Sequence, residues 1–125
     1  MIKNYGSYLN QRTITIDYDV IHAKYVEISF QSSWNTSFMI VFGYAPFFSG
    51  CITSAISGAN IGMIQGKLFA GNAGTTKFYY KGNQLVIYLG ANGSQIHAIV
   101  RTPEIVGVRA LDSYDLTDFT ETNLA

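Results

Sequence analysis

Apolar and polar residues alternate along much of this chain. In 12–20 the order R-T-I-T-I-D-Y-D-V puts Ile14, Ile16 and Tyr18 on one side and Thr13, Thr15, Asp17 and Asp19 on the other. That period of two is the pattern of a half-buried strand. Segment 24–30 repeats it, with Val26, Ile28 and Phe30 facing one way and Tyr25, Glu27 and Ser29 the other. Segment 38–44, F-M-I-V-F-G-Y, is nearly all apolar and predicts a strand buried on both faces. Further strands are expected at 49–56, 61–70, 75–81, 84–89 and 95–101, with a short last one at 105–111. No window keeps the i, i+3, i+4, i+7 stripe of an amphipathic helix. Frequent Val, Ile, Thr, Tyr and Phe favour strands, and the 12 glycines favour tight turns between them. The pattern predicts an all-β fold, an antiparallel β-sandwich of about nine strands with jelly-roll or Greek-key-like connections. A single domain is expected over 1–125.

One stretch fixes more than its own conformation. Gly82-Asn83 lies between K-F-Y-Y-K and Q-L-V-I-Y, and a Gly-first pair suits a two-residue hairpin loop. Such a loop sets the register: Lys81 opposite Gln84, Tyr80 opposite Leu85, Tyr79 opposite Val86, Phe78 opposite Ile87. One face then carries Phe78, Tyr80, Leu85, Ile87 and Leu89, a core face. The other carries Lys77, Tyr79, Lys81, Gln84, Val86 and Tyr88. Tyr80 is expected in the core. Tyr79 and Tyr88, among lysines, are expected on a partly covered or ligand-facing surface. The segment 111–119, L-D-S-Y-D-L-T-D-F, is more polar and is expected to lie across the domain surface.

Composition changes the picture in one respect. Only 13% of the 125 residues are charged, against roughly 25% in an average soluble domain. A small domain with so little charge is expected to hide part of its surface against a partner or copies of itself, although a surface rich in Ser, Thr, Asn and Gln serves the same end. The net charge of +0 gives no long-range attraction for nucleic acid or an anionic membrane. Cys51 is the single cysteine, so no internal disulfide framework exists. It lies in the apolar run F-F-S-G-C-I-T and is expected to be a buried, inert thiol. No signal peptide is visible at M-I-K-N. The longest apolar stretch, 38–48, contains Gly43 and Pro46 and is too short to span a bilayer as a helix.

Catalytic and metal motifs are weak. Asp17 and Asp19 share a strand face, and Glu27 could join them if the two strands pair; paired carboxylates can serve acid/base chemistry on glycosidic bonds, but a solvated edge has the same pattern. Asp112, Asp115 and Asp118 recur every three residues without the glycine that a calcium loop wants at its turn. His22 and His97 are far apart and lack zinc-ligand spacing. No Gly-x-Ser-x-Gly elbow exists to expose a nucleophile. Gly71–Gly74 and Gly90–Gly93 read as loops that lead into no helix, so neither is a phosphate cradle. No cofactor, metal or enzymatic activity is expected. Aromatic residues beside amides remain. Trp34 and Asn35 lie in the polar stretch Q-S-S-W-N-T-S between two strands; Tyr79 and Tyr88 accompany Gln84. Sugar rings bind where an aromatic face covers C–H groups while amides hold the hydroxyls. Trp34, Asn35, Tyr79 and Tyr88 are therefore the candidate ligand contacts, with packing between subunits as the rival role.

Over 25–100 the order K-Y-V-E-I-S-F, S-F-M-I-V-F-G-Y, G-K-L-F-A-G, T-K-F-Y-Y-K-G-N-Q-L-V-I-Y-L-G and Q-I-H-A-I-V resembles the β-sandwich tip domains of bacteriophage tail fibres and related receptor-binding proteins. Val86-Ile87-Tyr88 stands where such domains carry a V-x-Y-like arm. The resemblance implies a homotrimer, the tip of a longer fibre, that binds a bacterial surface glycan or protein. It further implies a virion component assembled in the host cytoplasm; from the short apolar stretch, no membrane insertion is expected. It transfers no site residue. A purely structural virion protein and a small glycan-cleaving enzyme using Asp17, Asp19 or Glu27 are the alternatives.

Overall fold

The computed structural model describes residues 12–17, 23–30, 33–44, 48–58, 60–71, 76–89, 97–102 and 105–124. Ten strands run through them: β1 (Arg12–Asp17), β2 (Tyr25–Phe30), β3 (Ser33–Tyr44), β4 (Phe48–Gly58), β5 (Asn60–Gly71), β6 (Lys77–Lys81), β7 (Gln84–Tyr88), β8 (His97–Thr102), β9 (Ile105–Leu111) and β10 (Thr120–Glu121). All nine strands expected from the alternation are present. β10, of two residues, is the addition. It is too short to show a period.

The strands form two five-stranded antiparallel sheets. The first has the order β1-β8-β3-β4-β5 and the second β10-β6-β7-β2-β9. Sequence neighbours pair where β3 meets β4, β4 meets β5 and β6 meets β7. The remaining order depends on pairings between distant segments, such as β1 with β8 and β2 with β9.

The core lies between the sheets. Val26, Ile28 and Phe30 of β2 and Phe78, Leu85 and Ile87 of the β6–β7 hairpin meet Phe38, Ile40 and Phe42 of β3 and Ile52 of β4. Phe30 stacks on Phe38 with centroids 4.6 Å apart, and Phe42 meets Phe78 at 4.8 Å, so aromatic pairs bridge the two layers. Burying a side chain of this size contributes about 1.5–3 kcal/mol.

The β6–β7 register is the one the turn predicted: Lys81 faces Gln84, Tyr80 Leu85, Tyr79 Val86 and Phe78 Ile87. Gly82 has φ 58°, a left-handed conformation that glycine adopts without a Cβ clash. The turn also ties the layers together. Its Gly82 carbonyl accepts from Ile61 N at 2.6 Å, and Asn83 Nδ2 donates to the Phe30 carbonyl at 2.6 Å.

β3 departs from its expected two-sided burial. Phe38, Ile40 and Phe42 face the core, whereas Met39 and Val41 are exposed at 38% and 46%. The first sheet has the second sheet on its inner side, and in the single chain nothing described covers Met39 or Val41 on the outer side. An apolar run therefore did not mean two covered faces here.

The segment after β9 crosses the molecule as expected. Asp115 Oδ1 accepts from Thr117 N and Oγ1 at 3.0 and 2.6 Å, and Phe119 N donates to the Leu116 carbonyl. This turn, with Asp118 at φ 67°, sends the chain back along β6 as β10. Thr122 N then donates to the Phe78 carbonyl at 2.8 Å, and Leu124 packs against the core beside Gly66 of β5. A Cβ on Gly66 would lie 2.5 Å from Leu124 Cδ2. The missing side chain is what lets the tail reach the open edge between the sheets.

Candidate functional site

Two surfaces carry chemistry-bearing side chains. The first is the outer face of the second sheet. Register places Arg109, Glu27, Val86, Tyr79 and Glu121 side by side across β9, β2, β7, β6 and β10. The next outward row holds Tyr25, Tyr88 and Lys77. Tyr88 lies on Tyr25 with centroids 5.0 Å apart, Tyr25 meets Tyr114 at 6.2 Å, and Tyr114 meets Phe119 edge-on at 5.6 Å. Lys81 Nζ lies 5.8 Å from the Phe119 ring centre. The tail thus lays a second aromatic layer on this face, and Val86 on the same face is fully buried.

Glu27 is the charged residue within that layer, only 3% exposed. Arg109 grips it bidentately, Nε to Oε1 at 2.9 Å and Nη2 to Oε2 at 3.0 Å, and the Tyr114 hydroxyl donates to Oε2. The Arg109 bonds hold the Glu27 carboxyl below its ordinary value against the opposing effect of burial. Burial, and then the bond to Glu27, push the Tyr114 phenol up to about 12. Tyr79 is raised as well, first by burial and then by Glu121. The arrangement pins the tail to β2.

The second surface is a pocket of about 570 Å³ at the edge of the sandwich, where β5 and β10 end their sheets. Its lining takes in both sides of the edge strand β5: Cys51, Thr53, Gln65, Lys67 and Phe69 from the outward rows of β4 and β5, Ile64 and Gly66 from the core-facing row of β5, and the tail residues Glu121, Thr122 and Asn123 beside Tyr80. The volume falls in the range of about 300–1,000 Å³ usual for small-ligand sites. Phe69 is 66% exposed, the most exposed large apolar side chain among the described residues. Glu121 is paired with Lys77 at 3.5 Å.

The sequence candidates are divided between the layers. Tyr79 and Tyr88 share the outer face of the second sheet, both half-buried, on neighbouring strands. Trp34 and Asn35 belong to β3 of the first sheet, not to a connecting stretch: β3 begins at Ser33, with an irregularity against β4 between Ser33 and Thr36. Their side chains lie outside the described residues. The four do not share one sheet, because β3 extends further toward its polar end than the apolar run suggested.

Glu27 does not join Asp17. β1 pairs with β8 in one sheet and β2 with β7 and β9 in the other, and Glu27 is held by Arg109 and Tyr114 instead. Asp19, Tyr18 and His22 lie outside the described residues, as do the 90–93 loop, residues 72–74 of the other loop and the side chain of His97. Of the three tail aspartates, Asp115 spends its carboxylate on Thr117. Among the described residues no group of three or more His, Cys, Asp or Glu could hold a metal ion. Cys51 is half-buried and faces the pocket rather than the core; burial still raises its thiol pKa, which suppresses the reactive thiolate. Among the described residues no helix is long and apolar enough to cross a membrane.

Sequence reasoning missed Phe69, Gln65 and Asn123. A signal for the first existed. In I-Q-G-K-L-F the alternation puts Phe69 on the polar side with Gln65 and Lys67, and an aromatic residue in a polar register is one that faces outward. Asn123 had none, since only the folded tail brings it to β5. Comparison of the chain with family models, with curated proteins and with solved structures finds no match.

Proposed function

We propose that this protein is a non-enzymatic saccharide-binding module, the receptor-binding tip of a phage tail fibre or related virion protein, acting as a trimer on a bacterial surface glycan. The observation that carries the reading is Phe69, exposed within a pocket whose other lining includes the amide of Gln65 and the hydroxyl of Thr53. An exposed ring offers apolar cover to the C–H face of a sugar. The Gln65 amide and the Thr53 hydroxyl offer donors and acceptors to its hydroxyls. Such a site binds weakly alone, and three linked copies raise avidity without new contacts. The virion setting rests on the sequence resemblance alone.

The test is binding of the wild-type protein and Phe69→Ala to an array of bacterial surface saccharides. Wild type is expected to bind, and Phe69→Ala to lose at least tenfold in affinity, about 1.4 kcal/mol. Retained binding by Phe69→Ala would remove the pocket from the reading. Trp34→Ala and Tyr79→Ala, run alongside, test the remaining sequence candidates.

A structural virion role is the second reading. It is favoured by Tyr88, which packs on Tyr25, and by the exposed Met39 and Val41. It expects no saccharide bound by any variant.

A further inference from the structure

The pocket holds one feature that a neutral sugar would not use. Lys67 lines it, is exposed, and has no ion-pair or hydrogen-bond partner among the described residues. The carboxylate in the same lining, Glu121, is already engaged by Lys77. Lys67 stands two residues before Phe69 on β5, and both side chains line the pocket. Two residues of a strand span roughly 6–7 Å. A pyranose ring stacked on Phe69 would carry a ring-borne carboxylate across that gap to the lysine's flexible stem.

Building on the saccharide reading above, we infer that the pocket takes an acidic saccharide, of the uronic or sialic acid type, with its ring on Phe69 and its carboxylate on Lys67. Gln65 then serves the hydroxyls. The lysine meets the carboxylate as a point charge on a flexible stem, without the fixed bidentate geometry of an arginine. The contact is charge-assisted and open to solvent, so it weakens as salt rises.

The experiment uses the whole chain and matched pairs of probes: oligogalacturonate and oligosialic acid, each beside its methyl ester, with neutral dextran and galactan oligomers as references. Wild type is expected to prefer the free acids by about tenfold or more. Lys67→Gln is expected to abolish that preference, and Lys67→Arg to restore part of it. Equal binding of acids and esters, preference for the neutral probes, or a preference that survives Lys67→Gln would overturn the acidic-ligand inference and leave the saccharide reading standing. Failure of every probe to bind, or binding indifferent to Phe69→Ala, would overturn both. Lys67 and Phe69 are both exposed, so neither variant should disturb folding; thermal melts check this.

Discussion

Glu27, Arg109 and Tyr114 make the clearest case for a single-residue effect on stability. The Glu27 carboxyl is held below its ordinary value of 4.5. Its contribution is therefore present above pH 4.5 and is lost as pH falls through the lowered folded-state value. Tyr114 is raised from 10.0 to about 12. Its contribution is present below pH 10 and is lost as pH rises toward about 12. Thermal melts against pH should show both edges. Glu27→Gln is expected to flatten the acid edge and Tyr114→Phe the alkaline one. Tyr114→Phe keeps the ring and removes one donor to a charged acceptor, a loss of about 1.5–3 kcal/mol. None of this was legible in the sequence. Glu27 sat correctly on the polar side of its strand, but its partner Arg109 is 82 residues away. A second residue-scale case is Gly50. A Cβ there would lie 2.6 Å from Phe42 Cζ and 2.7 Å from the Lys67 carbonyl oxygen. Backbone cannot yield as a side-chain tip does, so Gly50→Ala should cost about 1–3 kcal/mol in urea unfolding.

Among the elements, the hairpin and the tail behave in opposite ways. The β6–β7 hairpin is local: a two-residue turn and a period of two determine its register and both its faces. Gly82→Ala forces a Cβ into φ 58° and should cost about 1–2 kcal/mol in urea unfolding without moving the register. The tail is non-local. Residues 112–124 cover Glu27 on one side, extend the second sheet by β10, and place Leu124 beside Gly66 at the other. Truncation after Leu111 should lower the melting temperature and expose apolar surface, read as binding of a hydrophobic dye. It should also remove the Asn123 wall of the pocket and with it any saccharide affinity. An unchanged melting temperature would mean that the tail is dispensable to the sandwich.

At the scale of the whole molecule, the low charge and the exposed Met39 and Val41 bear on one another. Both lie on the outer side of the first sheet, where register sets Met39 opposite Thr53 and Val41 opposite Cys51 of the pocket lining, so a contact between copies on this side fits ligand binding only where it leaves Lys67 and Phe69 of the edge strand β5 open. Light scattering at micromolar concentration is expected to give a species near three times 13.8 kDa. Met39→Lys with Val41→Lys is expected to return it to the mass of one chain, because like charges placed on a contact face repel. A wild-type monomer would leave those two residues as ordinary surface apolars.

The sequence by itself determined nine of the ten strands, the faces of β2, the β6–β7 register and the crossing tail. Each depends on neighbours a few residues apart, where the period of a strand and the geometry of a turn act. Only the tertiary structure decided which strands share a sheet. That choice separated Glu27 from Asp17 and put Trp34 and Tyr79 in different layers. It also exposed one side of β3 and built the pocket from β4, β5 and the last residues of the chain. These outcomes rest on contacts between segments tens of residues apart, and local alternation carries no record of which distant edge a strand will meet.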